Sequence, residues 1–108
     1  MIATKLDVLG TEYTIELVEL KDDECDGFCD YTSKRIVIRS DNTNDVEDFK
    51  WLQKKQLRHE IVHAFLAESG LQCNFERAHQ FGHDETMVDW IAVQFPKLQK
   101  AFWEADAL

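Results

Sequence analysis

Apolar and polar residues alternate in short runs through the first 40 positions, a period of two that is typical of half-buried β-strands. The runs fall into two pairs, each separated by a few turn-forming residues. They occupy residues 5–8 and 13–20 for the first pair, and residues 28–31 and 35–39 for the second. The pattern therefore predicts two β-hairpins that form a small amino-terminal sheet.

After a polar break the spacing of apolar residues changes to three and four, which indicates a helix. Asn44 and Glu47 have the spacing of a capping box, so we expect the helix to begin at residue 45. Gly70 is expected to end it after Ser69. Three lysines of this helix are expected to lie on its solvated face: Lys50, Lys54 and Lys55.

A second helical pattern begins at Glu85 and is expected to stop at Phe95, because Pro96 has no N–H for the helix ladder. A last helix is predicted for residues 96–105. Together the elements predict an α+β fold in a single domain spanning residues 1–108: a sheet of hairpins, a long helix, and one or two carboxy-terminal helices.

The composition narrows the classes of partner. A net charge of −9 and a pI near 4.7 argue against nucleic acid or an anionic membrane surface, since both need a basic face. No run approaches the roughly 20 apolar residues of a membrane span, and the amino terminus does not have the pattern of a signal peptide. We therefore expect a cytoplasmic protein that binds neither nucleic acid nor membrane, with a basic or neutral segment mildly favoured as its partner, and leave its oligomeric state open.

The strongest chemical signal is His59-Glu60-x-x-His63 within the long helix. Residues four apart lie one turn apart on the same face, so both imidazoles can aim at one metal ion. Imidazole nitrogens suit Zn²⁺, which also needs a third protein ligand and an open position for water. Glu60 lies beside His59 and could take a proton from that water.

The third ligand is expected downstream. Glu68 points away from the histidine pair, whereas Glu85 and Asp89 share one face of the second helix. Glu85 could bind the metal, and Asp89 could hold the far nitrogen of a ligating histidine. His79 or His83 could replace Glu85 in a site of three histidines, could donate to an oxyanion, or could be exposed loop residues.

The order His59-Glu60-x-x-His63, then Glu85-x-x-x-Asp89, resembles the gluzincin zinc metallopeptidases and, in its compactness, the minigluzincins. The resemblance implies that both motif histidines and Glu85 bind Zn²⁺, that Glu60 is the general base, and that Asp89 supports His59.

The same resemblance implies a role for Asp84, which stands where thermolysin-like enzymes often carry an Asn that orients the second histidine. It further implies a zincin-like fold in which a strand beside the motif helix pairs with an extended substrate, here from the second hairpin. Similar small peptidases of phages and mobile elements cut repressors, which implies a phage or mobile-element protein.

We therefore expect a zinc metalloendopeptidase, a hydrolase of restricted specificity. The alternative is a non-catalytic or latent metal-binding domain that acts by binding a protein partner. In the latent form a thiol such as Cys25 or Cys29, or an acidic side chain, would occupy the fourth metal position.

Overall fold

The computed structural model describes residues 4–21, 25–71 and 85–108. The predicted α+β fold is confirmed, with four strands followed by two helices. The elements are β1 (Thr4–Val8), β2 (Thr11–Val18), β3 (Gly27–Asp30), β4 (Arg35–Arg39), α1 (Phe49–Glu68) and α2 (Glu85–Glu104).

Both predicted hairpins are confirmed, and they lie side by side in one mixed sheet of order β1-β2-β4-β3. Antiparallel pairs β1–β2 and β3–β4 are joined by a parallel pair, β2–β4. The first hairpin turns through Leu9 and Gly10, whose φ angles of 50° and 90° fit a tight two-residue turn. Strand β3 lies at one edge of this sheet.

The core lies between the sheet and α1. Ile36 and Ile38 share one face of β4, as their spacing predicts, and both are buried. They cluster with the buried side chains of Val8, Tyr13 and Ala64, and Leu57 and Ile61 of α1 pack against the cluster. Burial of these apolar residues fixes α1 across the sheet and so sets which face of α1 meets β3.

Helix α1 begins four residues later than predicted, at Phe49, and the proposed cap at Asn44 is wrong. The side chain of Asn42 exchanges two hydrogen bonds with the backbone of Val46, which holds this stretch in a turn. Asp48 is the N-cap instead, and its carboxylate accepts the backbone N–H three residues on at 3.1 Å. The predicted stop is confirmed, since Gly70 follows the helix with φ of 85°.

Helix α2 is continuous, so the predicted break at Pro96 is wrong. Proline leaves the carbonyl four residues earlier, that of Ala92, without its usual helical donor. In this structure the guanidinium Nε of Arg58, on α1, donates to that carbonyl. A tertiary contact thus replaces the lost helical hydrogen bond. Among the described residues, no helix has the length and apolar character needed to cross a lipid bilayer.

Candidate metal centre

Helices α1 and α2 bring the three predicted ligands together. The rings of His59 and His63 lie edge to face on α1, with centroids 4.9 Å apart. Glu85, the first residue of α2, reaches both rings. Its Oε2 lies 3.2 Å from Nε2 of His59, and its Oε1 lies 2.6 Å from Nε2 of His63.

The three side chains fit a metal ion. One ligand atom from each lies within 4.8 Å of the others, and tetrahedral Zn²⁺ places its ligands ~3.3 Å apart. His59 and His63 are mostly buried, whereas the Glu85 side chain is 67% exposed, so the group opens to solvent on the α2 side. His59, His63 and Glu85 could therefore hold a metal ion.

Asp89 lies behind His59, on the side away from Glu85. Its Oδ1 is 3.2 Å from Nδ1 of His59 and 3.1 Å from Nζ of Lys55. Burial raises the pKa of the Asp89 carboxyl, but the hydrogen bond and charge of Lys55, together with His59, outweigh burial and lower it overall. Lys55 was expected in solvent, which is wrong, because its side chain is only 15% exposed. Lys50 and Lys54 are exposed as predicted.

Glu60 is buried at the floor of the site, with 5% of its surface exposed. The amide Nε2 of Gln56, one turn earlier on α1, donates to its Oε2 at 2.5 Å. Burial raises the pKa of the Glu60 carboxyl, and the Gln56 hydrogen bond and the nearby imidazoles only partly oppose this rise. A carboxylate that is this poorly solvated has a stronger tendency to take up a proton.

An open cleft of about 530 Å³ gives access to these residues. One wall is α1, and the other is β3 with the residues on either side of it. Gly27 lets β3 pass close to its neighbours, because a Cβ there would lie 2.6 Å from the carbonyl oxygen of Val37 and 3.3 Å from Cγ of Gln56. The lining residues are Cys25, Asp26, Gly27, Phe28, Cys29, Tyr31, Gln56, His59, Glu60, His63, Ala67 and Glu85.

Two of the lining residues are the thiols of the latent alternative. Burial, and next the charge of Glu60, raise the pKa of Cys29 to about 11, so its thiol is protonated at neutral pH. Within the described ranges, the side chains close enough to share an ion are His59, His63 and Glu85, without Cys25 or Cys29. Among the described residues, the group able to hold an ion thus contains no thiol.

Glu68, which the sequence excluded as a ligand, is held elsewhere. It accepts hydrogen bonds from Oγ1 of Thr11 at 3.1 Å, the hydroxyl of Tyr13 at 2.7 Å and Nζ of Lys34 at 2.7 Å. The hydrogen bonds from Lys34 and Tyr13 lower its pKa. Glu68 thus ties α1 to the sheet, away from the metal-binding group.

Sequence reasoning missed Lys55 and Gln56 as parts of the site. Each lies four residues before a motif residue, so the helical spacing that pairs His59 with His63 also places them beside His59 and Glu60. That spacing could have identified them. His79, His83 and Asp84 lie outside the described residues, so their roles stay predictions.

Comparisons of the chain with models of protein families, with curated proteins and with solved structures give no match. The resemblance to gluzincins is thus carried by the motif residues.

Proposed function

We propose that this protein is a zinc-dependent metallopeptidase with a zincin-like arrangement of sheet and helices. The observation that carries the proposal is the position of Glu85. Its carboxylate contacts Nε2 of both His59 and His63, beside a buried glutamate and at the end of an open cleft. Two imidazoles and a carboxylate, with one position left open, are the ligand set of a catalytic zinc site.

The chain's own residues would divide the chemistry between them. His59, His63 and Glu85 would hold Zn²⁺, which when bound supplies Lewis-acid polarisation of a carbonyl and lowers the pKa of a water. Glu60 would take the proton of the attacking water and hand it to the leaving amine, a role that suits a carboxyl whose pKa burial has raised. Gln56 would keep the Glu60 carboxylate oriented through its hydrogen bond of 2.5 Å.

The substrate class follows from the wall opposite α1. Strand β3 lines the cleft and lies at the edge of the sheet, paired on one side with β4. An edge strand offers backbone donors and acceptors to an extended peptide, which can add to the sheet with little demand on its sequence. An extended segment of a protein or a peptide is therefore the proposed substrate.

Restricted cleavage is the expected behaviour. The described elements supply two walls, α1 and β3, and the exposed Glu85 side chain marks the open side. Among the described residues the cleft therefore stays open on the Glu85 side, and we expect binding to depend on an already extended partner segment. The phage or mobile-element setting rests on the motif resemblance alone.

Metal content is the first test. Purified protein, stripped with a chelator and dialysed against zinc, is expected to retain one Zn²⁺ per chain by elemental analysis, and His63→Ala is expected to lose it. Lys54→Met, an exposed change on the same helix, is the matched control and should retain the metal. Equal zinc content in wild type and His63→Ala would contradict the proposed site.

Cleavage is the second test. A library of unstructured peptides, incubated with the zinc-loaded protein and read by mass spectrometry, should give products that vanish with Glu60→Gln while zinc content stays normal. Zinc bound at His59, His63 and Glu85 without any product from wild type would instead favour the non-catalytic alternative, a metal-binding domain that acts on a partner by binding.

A further inference from the structure

Lys55 and His59 contact the same oxygen of Asp89. Nζ of Lys55 lies 3.1 Å from Oδ1 of Asp89, and Nδ1 of His59 lies 3.2 Å from that atom. Because Lys55 and His59 are one turn apart on α1, both side chains extend toward α2. The three residues form a chain from an ammonium group, through a carboxylate, to an imidazole.

The position of Lys55 is unusual for a lysine. Its side chain is 15% exposed, although lysine is among the residues least often buried. Fixing such a long side chain loses rotamer entropy, so burial needs a compensating contact. The contact is Asp89, whereas the adjacent Lys54 is exposed on the same helix.

Donor and acceptor chemistry sets the direction of the chain. An ammonium group can only donate, so Oδ1 of Asp89 accepts from Lys55. The same oxygen also accepts from His59 when Nδ1 of the ring carries the proton. Nε2 of His59 then keeps its lone pair, and Nε2 is the atom that faces Glu85 at 3.2 Å. The tautomer and the ring orientation needed for a ligand are thus set from behind.

We propose that Lys55 is a positioning residue of the metal centre, which acts through Asp89 to hold His59 with Nε2 toward Glu85. The inference rests on the proposed zinc site, and it adds a third member to the histidine and carboxylate pair. Lys55 belongs neither to the group that could hold the ion nor to the lining of the cleft. Its effect should therefore appear in the affinity for Zn²⁺ itself.

The test is the Zn²⁺ dissociation constant, measured by competition with a chromogenic chelator. Lys55→Met, which keeps the stem and removes the ammonium group, is expected to weaken binding about tenfold. Lys55→Arg keeps a cationic donor and should restore most of the affinity. Lys54→Met removes the same charge from an exposed neighbour and should change the constant by less than about twofold.

A double variant separates positioning from a merely structural contact. If Lys55 acts through Asp89, adding Lys55→Met to Asp89→Asn should cause no further loss of zinc affinity. Losses that multiply in the double variant, or equal losses in Lys55→Met and Lys54→Met, would overturn the inference. Circular dichroism of the metal-free variants checks folding, and Lys55→Gln replaces Lys55→Met with the same expected loss if the latter does not fold.

Failure of the inference can be told apart from failure of the proposed function. Tight zinc binding by wild type with an unchanged constant in Lys55→Met would overturn the role of Lys55 and leave the metal site standing. Absence of zinc binding by wild type would overturn both.

Discussion

Two glutamates eight residues apart on α1 have opposite environments. Glu68 accepts hydrogen bonds from Thr11, Tyr13 and Lys34, one of them a cation, and these contacts lower its pKa. Glu60 is buried with a single side-chain donor among the described residues, Gln56, and its pKa is raised. One carboxylate is fully engaged by the fold, and the other is left available beside a cleft.

The difference separates structure from chemistry. Because it accepts three hydrogen bonds, the Glu68 carboxylate stabilises the packing of α1 on the sheet. Burying Glu60 with one donor opposes folding, because its desolvation is only partly offset. Side chains kept in such an environment, beside groups able to bind a metal, are typical of functional sites. The helix thus carries a structural clamp at its end and, near its middle, the carboxylate that we propose to be reactive.

The largest expected effect tests this division directly. Glu60→Gln should lower peptide turnover by at least about 100-fold, because general base catalysis is lost, and should leave zinc binding nearly unchanged. Glu68→Gln should lower thermal stability and leave kcat of the folded protein within about twofold of wild type. For both variants, the rate of peptide turnover per bound zinc measures activity and thermal denaturation curves measure stability. If the two variants lose turnover equally, the comparison is wrong.

The same pair should differ in stability without metal. Removing a poorly solvated carboxylate is expected to make Glu60→Gln at least as stable as wild type at pH 7 in excess chelator, whereas Glu68→Gln should be less stable. Denaturant titrations of the two variants beside wild type show the sign of each change. A clear loss of stability in Glu60→Gln would mean that this carboxylate also serves the fold.

The next effect concerns the side-chain hydrogen bond from Gln56 to Glu60. Gln56→Leu removes the donor to Oε2 and should lower kcat roughly tenfold, since a hydrogen bond to a charged group is worth about 1.5–3 kcal/mol and only part of it concerns orientation. The Zn²⁺ dissociation constant should stay unchanged, because the side-chain hydrogen bond of Gln56 goes to Glu60 and not to a proposed ligand. A loss of zinc affinity equal to the loss of kcat would contradict a role limited to Glu60.

Much of the fold could be predicted from local patterns. Alternation within each hairpin and the turn at Leu9 and Gly10 depend on neighbouring residues, so both hairpins were predicted correctly. The start of α1 and the continuity of α2 were not predicted correctly. The first depends on the bonds between Asn42 and Val46, and the second on a donor from another helix. Parallel pairing of β2 with β4 likewise joins segments far apart in sequence.

For the site, too, local patterns predicted some features and missed others. The shared face of His59 and His63 is a property of one helix, and the sequence alone placed Glu85 on a suitable face of the next. How α1 and α2 pack decides which lysine is buried. The pattern of α1 alone predicts a solvated Lys55, which is wrong because α2 places Asp89 against its side chain. The burial of Lys55 against α2 is thus a feature of the site that the pattern of α1 alone could not assign.

A smaller effect is the pH dependence of the stability that Glu68 contributes. The pKa of Glu68 is lower in the folded protein than in the unfolded chain, so its stabilising contribution is complete above the unfolded value of about 4.3 and is lost as pH falls toward the folded value. The stability difference between wild type and Glu68→Gln should thus be full at pH 7 and shrink below about pH 4.3. A difference that does not change down to the acid transition would contradict an ionised clamp.

The smallest expected effect removes one donor of the clamp. Tyr13 is fully buried and its hydroxyl donates to Glu68 at 2.7 Å. Because Thr11 and Lys34 still donate to this carboxylate, Tyr13→Phe should lower the free energy of unfolding by about 1 kcal/mol, less than the usual value for a charged acceptor. For a chain of this size that is a fall in Tm of about 4–8 °C. Tyr31→Phe, at an exposed position, is the matched control and should leave Tm unchanged. Since Thr11 and Lys34 still hold Glu68, kcat of Tyr13→Phe should also stay unchanged. A variant that kept its Tm but lost turnover would mean that the clamp and the reactive carboxylate are not separate regions of α1.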